Sequence, residues 1–168
     1  MAPALPSLLF AILLSLSALE AAAQGGAEIA TYRNQRYGFT ISYPTAQFAP
    51  QEPLAAEGRV WVSRDGSARL LAGGLANDEG LSLSQYRELV LRQSYEGAAV
   101  DYAPLRQNWF VLSGTRDGMI FYERVTFTCG GRVINSWALL YPQAERRRYD
   151  RVVELVSRSY RPGSGNCG

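Results

Sequence analysis

The sequence predicts an α+β fold in which one antiparallel sheet lies between helices. Two segments with helical spacing of apolar residues interrupt a series of β-rich runs. Short Asp-Gly and Gly-Gly turns join neighbouring runs, and such turns connect antiparallel strands. Both faces of the predicted sheet carry aromatic and aliphatic side chains, which favours helices covering both faces, at least in part. The expected architecture is a three-layer α/β/α sandwich.

Residues 1–23 have the pattern of an export signal. An apolar run from Leu8 to Leu19, broken only by serines, precedes the small residues Ala21-Ala22-Ala23. This pattern is typical of a secretory signal peptide, here cleaved after Ala23. The run is shorter than the roughly 20 residues that a membrane span needs. Since no Lys or Arg precedes it, an uncleaved N-terminal anchor is the alternative.

Export places the mature chain in the periplasm or outside the cell. No cysteine lies beside the cleavage site, so a lipid-anchored form is not expected and no stable membrane anchor remains after cleavage. We expect residues 24–31 to be a flexible lead-in, residues 32–161 a single α+β domain and residues 162–168 a flexible tail.

Two β-rich regions precede the first predicted helix. Tyr37 to Tyr43 forms a run that Pro44 stops. Residues 46–59 contain two prolines and few periodic apolar residues, which predicts a loop. The apolar runs 60–63 and 68–72 flank Asp65-Gly66, which predicts a hairpin.

The first helix begins at a capping box in which Ser82 is the N-cap and Gln85 lies three residues on. It ends by Gly97. Four strands follow at about 99–105, 109–115, 119–129 and 132–141, and a second helix carries Tyr149, Val152, Val153, Val156 and Tyr160 before Pro162.

Turns at Asp117-Gly118 and Gly130-Gly131 fix the register of the last three strands. The first face then collects mostly apolar residues and is expected to be core: Phe110, Leu112, Phe121, Val125, Phe127, Ile134, Ala138 and Leu140. The second face is mixed: Trp109, Val111, Tyr122, Arg124, Thr126, Asn135, Trp137 and Leu139.

Composition excludes several kinds of chemistry. The 168-residue chain has no His, and all 17 of its basic residues are Arg. Catalysis by Ser-His-Asp or Cys-His groups and zinc sites built on His are therefore excluded within the chain. We predict no catalytic residue, no metal and no cofactor. The net charge of +2 gives no reason to expect nucleic-acid binding.

The two cysteines, Cys129 and Cys167, are predicted to form a disulfide, because an exported chain meets an oxidising environment. The alternative is a buried Cys129 and a free thiol in the tail.

Trp109, Tyr122, Arg124 and Trp137 are the leading candidates for a binding site. Arg124 lies opposite Trp137 in the predicted register and could stack on its indole. Aromatic and Arg side chains dominate binding hot spots. The alternative is ordinary packing beneath a helix.

Two further features are weaker candidates. Arg146, Arg147 and Arg148 open the second helix, where positive charge opposes the helix dipole, and they could hold an acidic partner. Glu123 is an isolated acid on the apolar first face. A carboxyl group there could act as a general acid, or it could be paired with an Arg.

Two segments resemble exported bacterial proteins of the Mog1/PsbP-like fold, and so does the order of the elements. The segments are Tyr37-Gly38-Phe39-Thr40-Ile41-Ser42-Tyr43-Pro44 and Gly118-Met119-Ile120-Phe121-Tyr122-Glu123. The resemblance covers about residues 32–161. It implies an antiparallel sheet between helices and a binding or accessory role. It transfers no catalytic residue, because the pattern defines none.

The leading functional hypothesis is an exported, non-enzymatic protein that binds a protein or another partner in the bacterial envelope. One alternative is a carboxylate-based hydrolase acting on glycans, which needs two acids about 5–9 Å apart in a cleft. Another is a carrier for a small apolar ligand, held between helix and sheet.

Overall fold

The computed structural model describes residues 28–52, 56–164 and 167. This part of the chain forms nine strands and two helices. The strands are β1 (Ile29–Arg33), β2 (Thr40–Pro44), β3 (Phe48–Pro50), β4 (Gly58–Ser63), β5 (Arg69–Ala76), β6 (Ala99–Tyr102), β7 (Trp109–Arg116), β8 (Met119–Thr128) and β9 (Val133–Pro142). The helices are α1 (Leu83–Ser94) and α2 (Arg146–Ser159).

Seven of the strands form one antiparallel sheet in the order β3-β4-β5-β9-β8-β7-β6, and β1 and β2 form a separate hairpin. The helices lie on opposite faces of this sheet. The predicted α+β class, with an antiparallel sheet between helices, is confirmed.

The predicted register of the last three strands is also confirmed. Leu112 lies opposite Glu123, and Phe127 lies opposite Ile134. Asp117 and Gly118 both have positive φ, 52° and 76°, as a type I′ turn requires. The turn around Gly130 is longer than two residues, because the last pair is Thr128 with Val133. It extends symmetrically, so the register is unchanged.

Helix α2 and the β1–β2 hairpin cover the second face over β4, β5 and β9. Trp61 and Leu70 from the sheet are fully buried there beside Tyr149 and Val156 from α2. This is the larger of the two cores.

Helix α1 covers a different part of the sheet, the first face over β7 and β8. Its residue Val90 packs with a fully or nearly fully buried set from the sheet: Phe110, Leu112, Phe121, Val125, Phe127 and Ile134. No residue of β4 or β5 belongs to this core within the part of the chain described. Each helix therefore covers half of one face, and the two covered halves are diagonally opposed.

Three expectations about segments need correction. Residues 29–31, expected in the flexible lead-in, belong to β1, because Ala30 and Tyr32 pack against the core of the second face. The predicted loop 46–59 contains β3, which pairs with β4. In the predicted tail, Gly163 is buried and hydrogen-bonded to Asn135. The predicted signal peptide and residues 24–27 lie outside the described residues.

The predicted disulfide is confirmed, since Cys129 and Cys167 are bonded. Neither helix of the described residues has the length and apolar character that a membrane crossing needs.

Candidate functional site

An aromatic and cationic surface lies on the second face, at the half of the sheet that α2 leaves open. We call it the Trp109 patch and define it as Tyr102, Arg106, Trp109, Tyr122 and Arg124. The Arg124 guanidinium carbon lies 4.5 Å from the centroid of the Trp109 ring, and that of Arg106 lies 5.9 Å from it. Trp109 is thus contacted by two cations.

Strand register explains why these side chains meet. Trp109 pairs with Thr126 and Val111 pairs with Arg124, so Arg124 is a same-face neighbour of Trp109 across the β7–β8 pair. Tyr102 extends the patch to the edge strand β6, where it pairs with Ser113 and remains 54% exposed.

Trp137 lies beneath this surface rather than on it. Its side chain is fully buried, and its ring stacks on Tyr122 at 5.1 Å between centroids. Arg124 pairs with Trp137 in the strand register, as expected. Its guanidinium group nevertheless stacks on Trp109, so the expected stacking on Trp137 is wrong. Trp137 therefore supports Tyr122 from the core.

The two cations of the patch have no acidic partner among the described residues. Ion pairs elsewhere in residues 28–52, 56–164 and 167 include neither Arg106 nor Arg124. The Nε of Arg124 is buried and donates no hydrogen bond to the described chain. Two arginines without an acidic partner among the described residues, both on one surface, suit an oxygen-rich partner group such as a carboxylate.

The three arginines at the start of α2 are arranged differently. Arg148 bridges Asp65 and Glu145 at 3.0 and 2.7 Å, and Arg146 pairs with Asp150 at 3.4 Å. Arg147 is exposed. Most of the charge here is compensated within the protein, which weakens this cluster as a site for an acidic partner. Its binding role stays a prediction.

A groove lies on the opposite, first face, over the half of the sheet that α1 leaves open. Its volume is about 850 Å³. Pairing across the sheet places Val60 beside Leu71, Leu71 beside Ala138 and Gly73 beside Ser136. The side chains at the centre of the groove floor are small, because Gly73, Ala138 and Ser136 occupy it.

Glu123 of β8 lines this groove beside Tyr95, the residue that follows α1. The Tyr95 hydroxyl donates a 2.7 Å hydrogen bond to Glu123 Oε2, and the Tyr95 ring stacks on Phe121 at 4.0 Å. Burial raises the pKa of the Glu123 carboxyl, and the hydrogen bond from Tyr95 opposes that shift. Burial, with the charge of Glu123, also raises the pKa of the Tyr95 hydroxyl. Tyr95 is thus a neutral donor to this carboxyl group.

Two other acids line the groove, Glu52 and Glu57, and both are exposed. Glu57 pairs with Arg36 at 2.6 Å. Strand β4, which follows Glu57, is three strands from the β8 strand of Glu123, or about 14 Å between backbones. This spacing disfavours the two-carboxylate arrangement of a glycosidase. Over the described ranges, no three His, Cys, Asp or Glu residues form a group suited to a metal ion.

Sequence reasoning missed several of these residues. Arg106 and Tyr102 come from a poorly periodic stretch, and only their aromatic or cationic character could have indicated them. Tyr95 precedes Gly97, by which the first helix is predicted to end, and its partner Glu123 lies 28 residues further along the chain. The groove follows from where α1 sits on the sheet, which local spacing does not specify.

No protein-family model matches the chain, and no curated protein matches its sequence. Solved structures do match. Cyanobacterial PsbP (CyanoP) from Synechocystis sp. PCC 6803 aligns with a TM-score of 0.61 at 14% identity, over 83% of this chain and 95% of that one. The Ran-binding protein Mog1p of Saccharomyces cerevisiae aligns with a TM-score of 0.57 at 9% identity, over 82% of this chain and 96% of that one.

These alignments span nearly the whole of both known proteins. The chain thus belongs to the class of antiparallel α/β/α sandwiches that they define. More particularly, it has the Mog1/PsbP-like fold, as the resemblance in its sequence implied. Identities this low establish the fold alone.

Proposed function

We propose that this chain is an exported, non-enzymatic accessory protein of the bacterial envelope, and that it binds an acidic protein partner through the Trp109 patch. The observation that carries the proposal is the placement of Trp109 beside two guanidinium groups, Arg106 and Arg124, that have no acid to pair with in the described chain.

The chemistry of the patch suits a protein surface. Trp, Tyr and Arg are the residue types enriched in interface hot spots. A carboxylate from a partner would satisfy Arg124 and complete the stack on Trp109, in a site partly removed from water. The flat, mixed face offers side chains from β6, β7 and β8, which a folded partner can contact together. Mog1p, which has this fold, is itself a Ran-binding protein.

Export rests on separate support. The apolar N-terminal run with its small-residue triplet is typical of a cleaved signal peptide. The Cys129–Cys167 disulfide fits an oxidising compartment. The mature protein should therefore begin at Gln24 and be recovered from the periplasm or the medium.

The test is affinity capture of the tagged, full-length protein from envelope extract at native expression. Three single variants would be compared with the wild type: Trp109→Ala, Arg124→Ala and, as a matched control, Arg92→Ala, an exposed arginine near the end of α1. We expect one partner to be recovered with the wild type and with Arg92→Ala, and lost from both patch variants. Binding should weaken as salt rises, since the contact is charged.

Two results would contradict the proposal. A partner that is retained equally by both patch variants binds elsewhere. Repeated recovery of the protein alone at native expression would argue against an accessory role altogether. Mass spectrometry of the isolated protein checks export separately, and an intact Met1 would contradict it.

A further inference from the structure

The groove on the first face has the layout of a ligand site, and it lies on the side of the sheet opposite the Trp109 patch. Its walls are the aliphatic side chains of Val60, Val62, Leu71 and Leu140, all only partly buried. In a sheet face covered by a helix, such residues would be fully buried, as Leu112 and Val125 are beneath α1. About 850 Å³ of space stands where a second covering element would otherwise pack.

The floor of the groove has room for an occupant. Gly73 occupies its centre, and among the described residues a Cβ atom there would contact the Glu57 carbonyl oxygen alone, at an ordinary distance of 3.7 Å. Ala138 pairs with Leu71, and Ser136 pairs with Gly73. The small residues are therefore not required by tight backbone packing at Gly73, and they leave volume above the sheet.

A partly buried carboxyl group, that of Glu123, faces this largely apolar space, and the exposed Arg69 lies at its rim. Glu123 pairs with Ala138 on the floor and lines the groove. Its Oε2 accepts the hydrogen bond from Tyr95, whereas Oε1 has no hydrogen-bond partner in the part of the chain described. Ser136 is a diagonal neighbour on the same face. An apolar cavity with a few convergent polar groups is typical of small-molecule sites.

We propose that this groove binds a small, elongated apolar molecule with a neutral hydroxyl head, whose hydroxyl meets Glu123 Oε1 while its hydrocarbon body lies along Val60, Leu71 and Leu140.

A neutral hydroxyl suits Glu123 in either protonation state. It donates to a carboxylate, and it accepts from a protonated carboxyl group. A carboxylate head placed at Glu123 would be repelled by the ionised form, and an ammonium head would leave water without an ion pair whenever Glu123 is protonated.

The experiment compares three probes of equal chain length, 1-decanol, decanoate and decylamine, by isothermal titration calorimetry on the mature protein. We expect one decanol per chain, with at least tenfold weaker binding of decanoate and of decylamine. Glu123→Leu should weaken decanol binding roughly three- to tenfold, the value of one hydrogen bond, and should abolish the preference over decanoate.

Two variants test the location. Ala138→Phe should fill the floor and abolish decanol binding, and Gly73→Val should do the same if Ala138→Phe does not fold, as judged by near-ultraviolet circular dichroism. Ala144→Phe adds the same ring at an exposed position outside the groove and should bind decanol as the wild type does.

Three results would overturn the proposal: no saturable binding of decanol, equal binding by the filled variants, or tighter binding of decylamine or decanoate. A dimer, measured by light scattering, that dissociates in Ala138→Phe would instead identify a second copy of the chain as the occupant. None of these results bears on the Trp109 patch, which lies on the other face.

Discussion

The buried side chain of Asn135 hydrogen-bonds both the N–H and the C=O of Gly163. Its Nδ2 donates to the Gly163 carbonyl at 3.0 Å, and its Oδ1 accepts from the Gly163 amide at 3.3 Å. Thr128 donates to the same carbonyl at 2.7 Å. A side chain at Gly163 would collide with the backbone of Tyr37, so the segment after α2 fits closely against the β1–β2 connection.

Asn135→Ala should therefore lower the free energy of unfolding by about 2–3 kcal/mol, because it leaves buried polar groups of Gly163 without partners. Urea denaturation would measure the change. Gln93→Ala removes an exposed amide side chain and should change stability by less than about 0.5 kcal/mol. Equal effects of the two substitutions would show that the Asn135 contacts do not stabilise the fold.

The Cys129–Cys167 disulfide also attaches the C-terminal segment to the sheet domain. It joins residues 38 apart, for which loop-closure entropy predicts a stabilisation of about 4 kcal/mol. The double variant Cys129→Ser with Cys167→Ser should have its unfolding midpoint at a lower urea concentration than the wild type. A reducing agent should shift the wild-type midpoint and leave that of the double variant in place. If the reductant moves neither midpoint, the bond is absent from the isolated protein or contributes no stability.

The contrast between register and layer packing shows what the sequence can predict here. Asp117-Gly118 and the turn around Gly130 determine which residues oppose one another, so the pairs Leu112–Glu123 and Phe127–Ile134 follow from local chemistry. The capping box at Ser82 and Gln85 is equally local and is present. The fold class therefore follows from short stretches of chain.

The sites depend on longer-range geometry. Helix α1 packs over β7 and β8 through Val90 and its neighbours, and leaves the rest of the first face open as the groove. That placement depends on tertiary packing rather than on local spacing. The contact of Arg124 with Trp109 instead of Trp137 is a rotamer choice in a crowded face. Strands β1 and β3 lack a strong apolar period, and tertiary contacts with the sheet and α2 stabilise them.

Asp65 should stabilise the β4–β5 turn at neutral pH. Ser63 Oγ donates to it at 2.6 Å, and the backbone and hydroxyl of Ser67 and the Arg148 guanidinium donate as well. These hydrogen bonds hold the pKa of the Asp65 carboxyl group well below its usual range, and the bond from Ser63 has the largest effect.

Because the folded pKa is lowered, the stabilisation exists above the unfolded pKa near 4 and is lost as pH falls through the folded value. Asp65→Asn should thus be less stable than the wild type at pH 7, and the gap should narrow in acid. Thermal unfolding from pH 7 to pH 2.5 measures this. A gap independent of pH would mean that the charge of Asp65 contributes nothing to the turn.

Glu123 should have the opposite pH dependence. Burial raises its pKa, so between the unfolded and folded values the folded chain binds more protons than the unfolded chain. The free energy of unfolding must then fall as pH rises through that window. Glu123→Gln retains an acceptor for the Tyr95 hydroxyl and removes the titration.

The wild type should therefore lose stability relative to Glu123→Gln as pH rises from 4.5 to 8.5, and the two should converge at the acidic end. Urea denaturation across this range gives the difference directly. The exposed Glu88 on α1 provides the control, since Glu88→Gln should follow the wild-type curve. Parallel curves for the wild type and Glu123→Gln would show that Glu123 keeps one protonation state throughout this pH range. The argument for a neutral ligand head group would then fail, because that argument depends on a hydroxyl bonding to Glu123 in both of its protonation states.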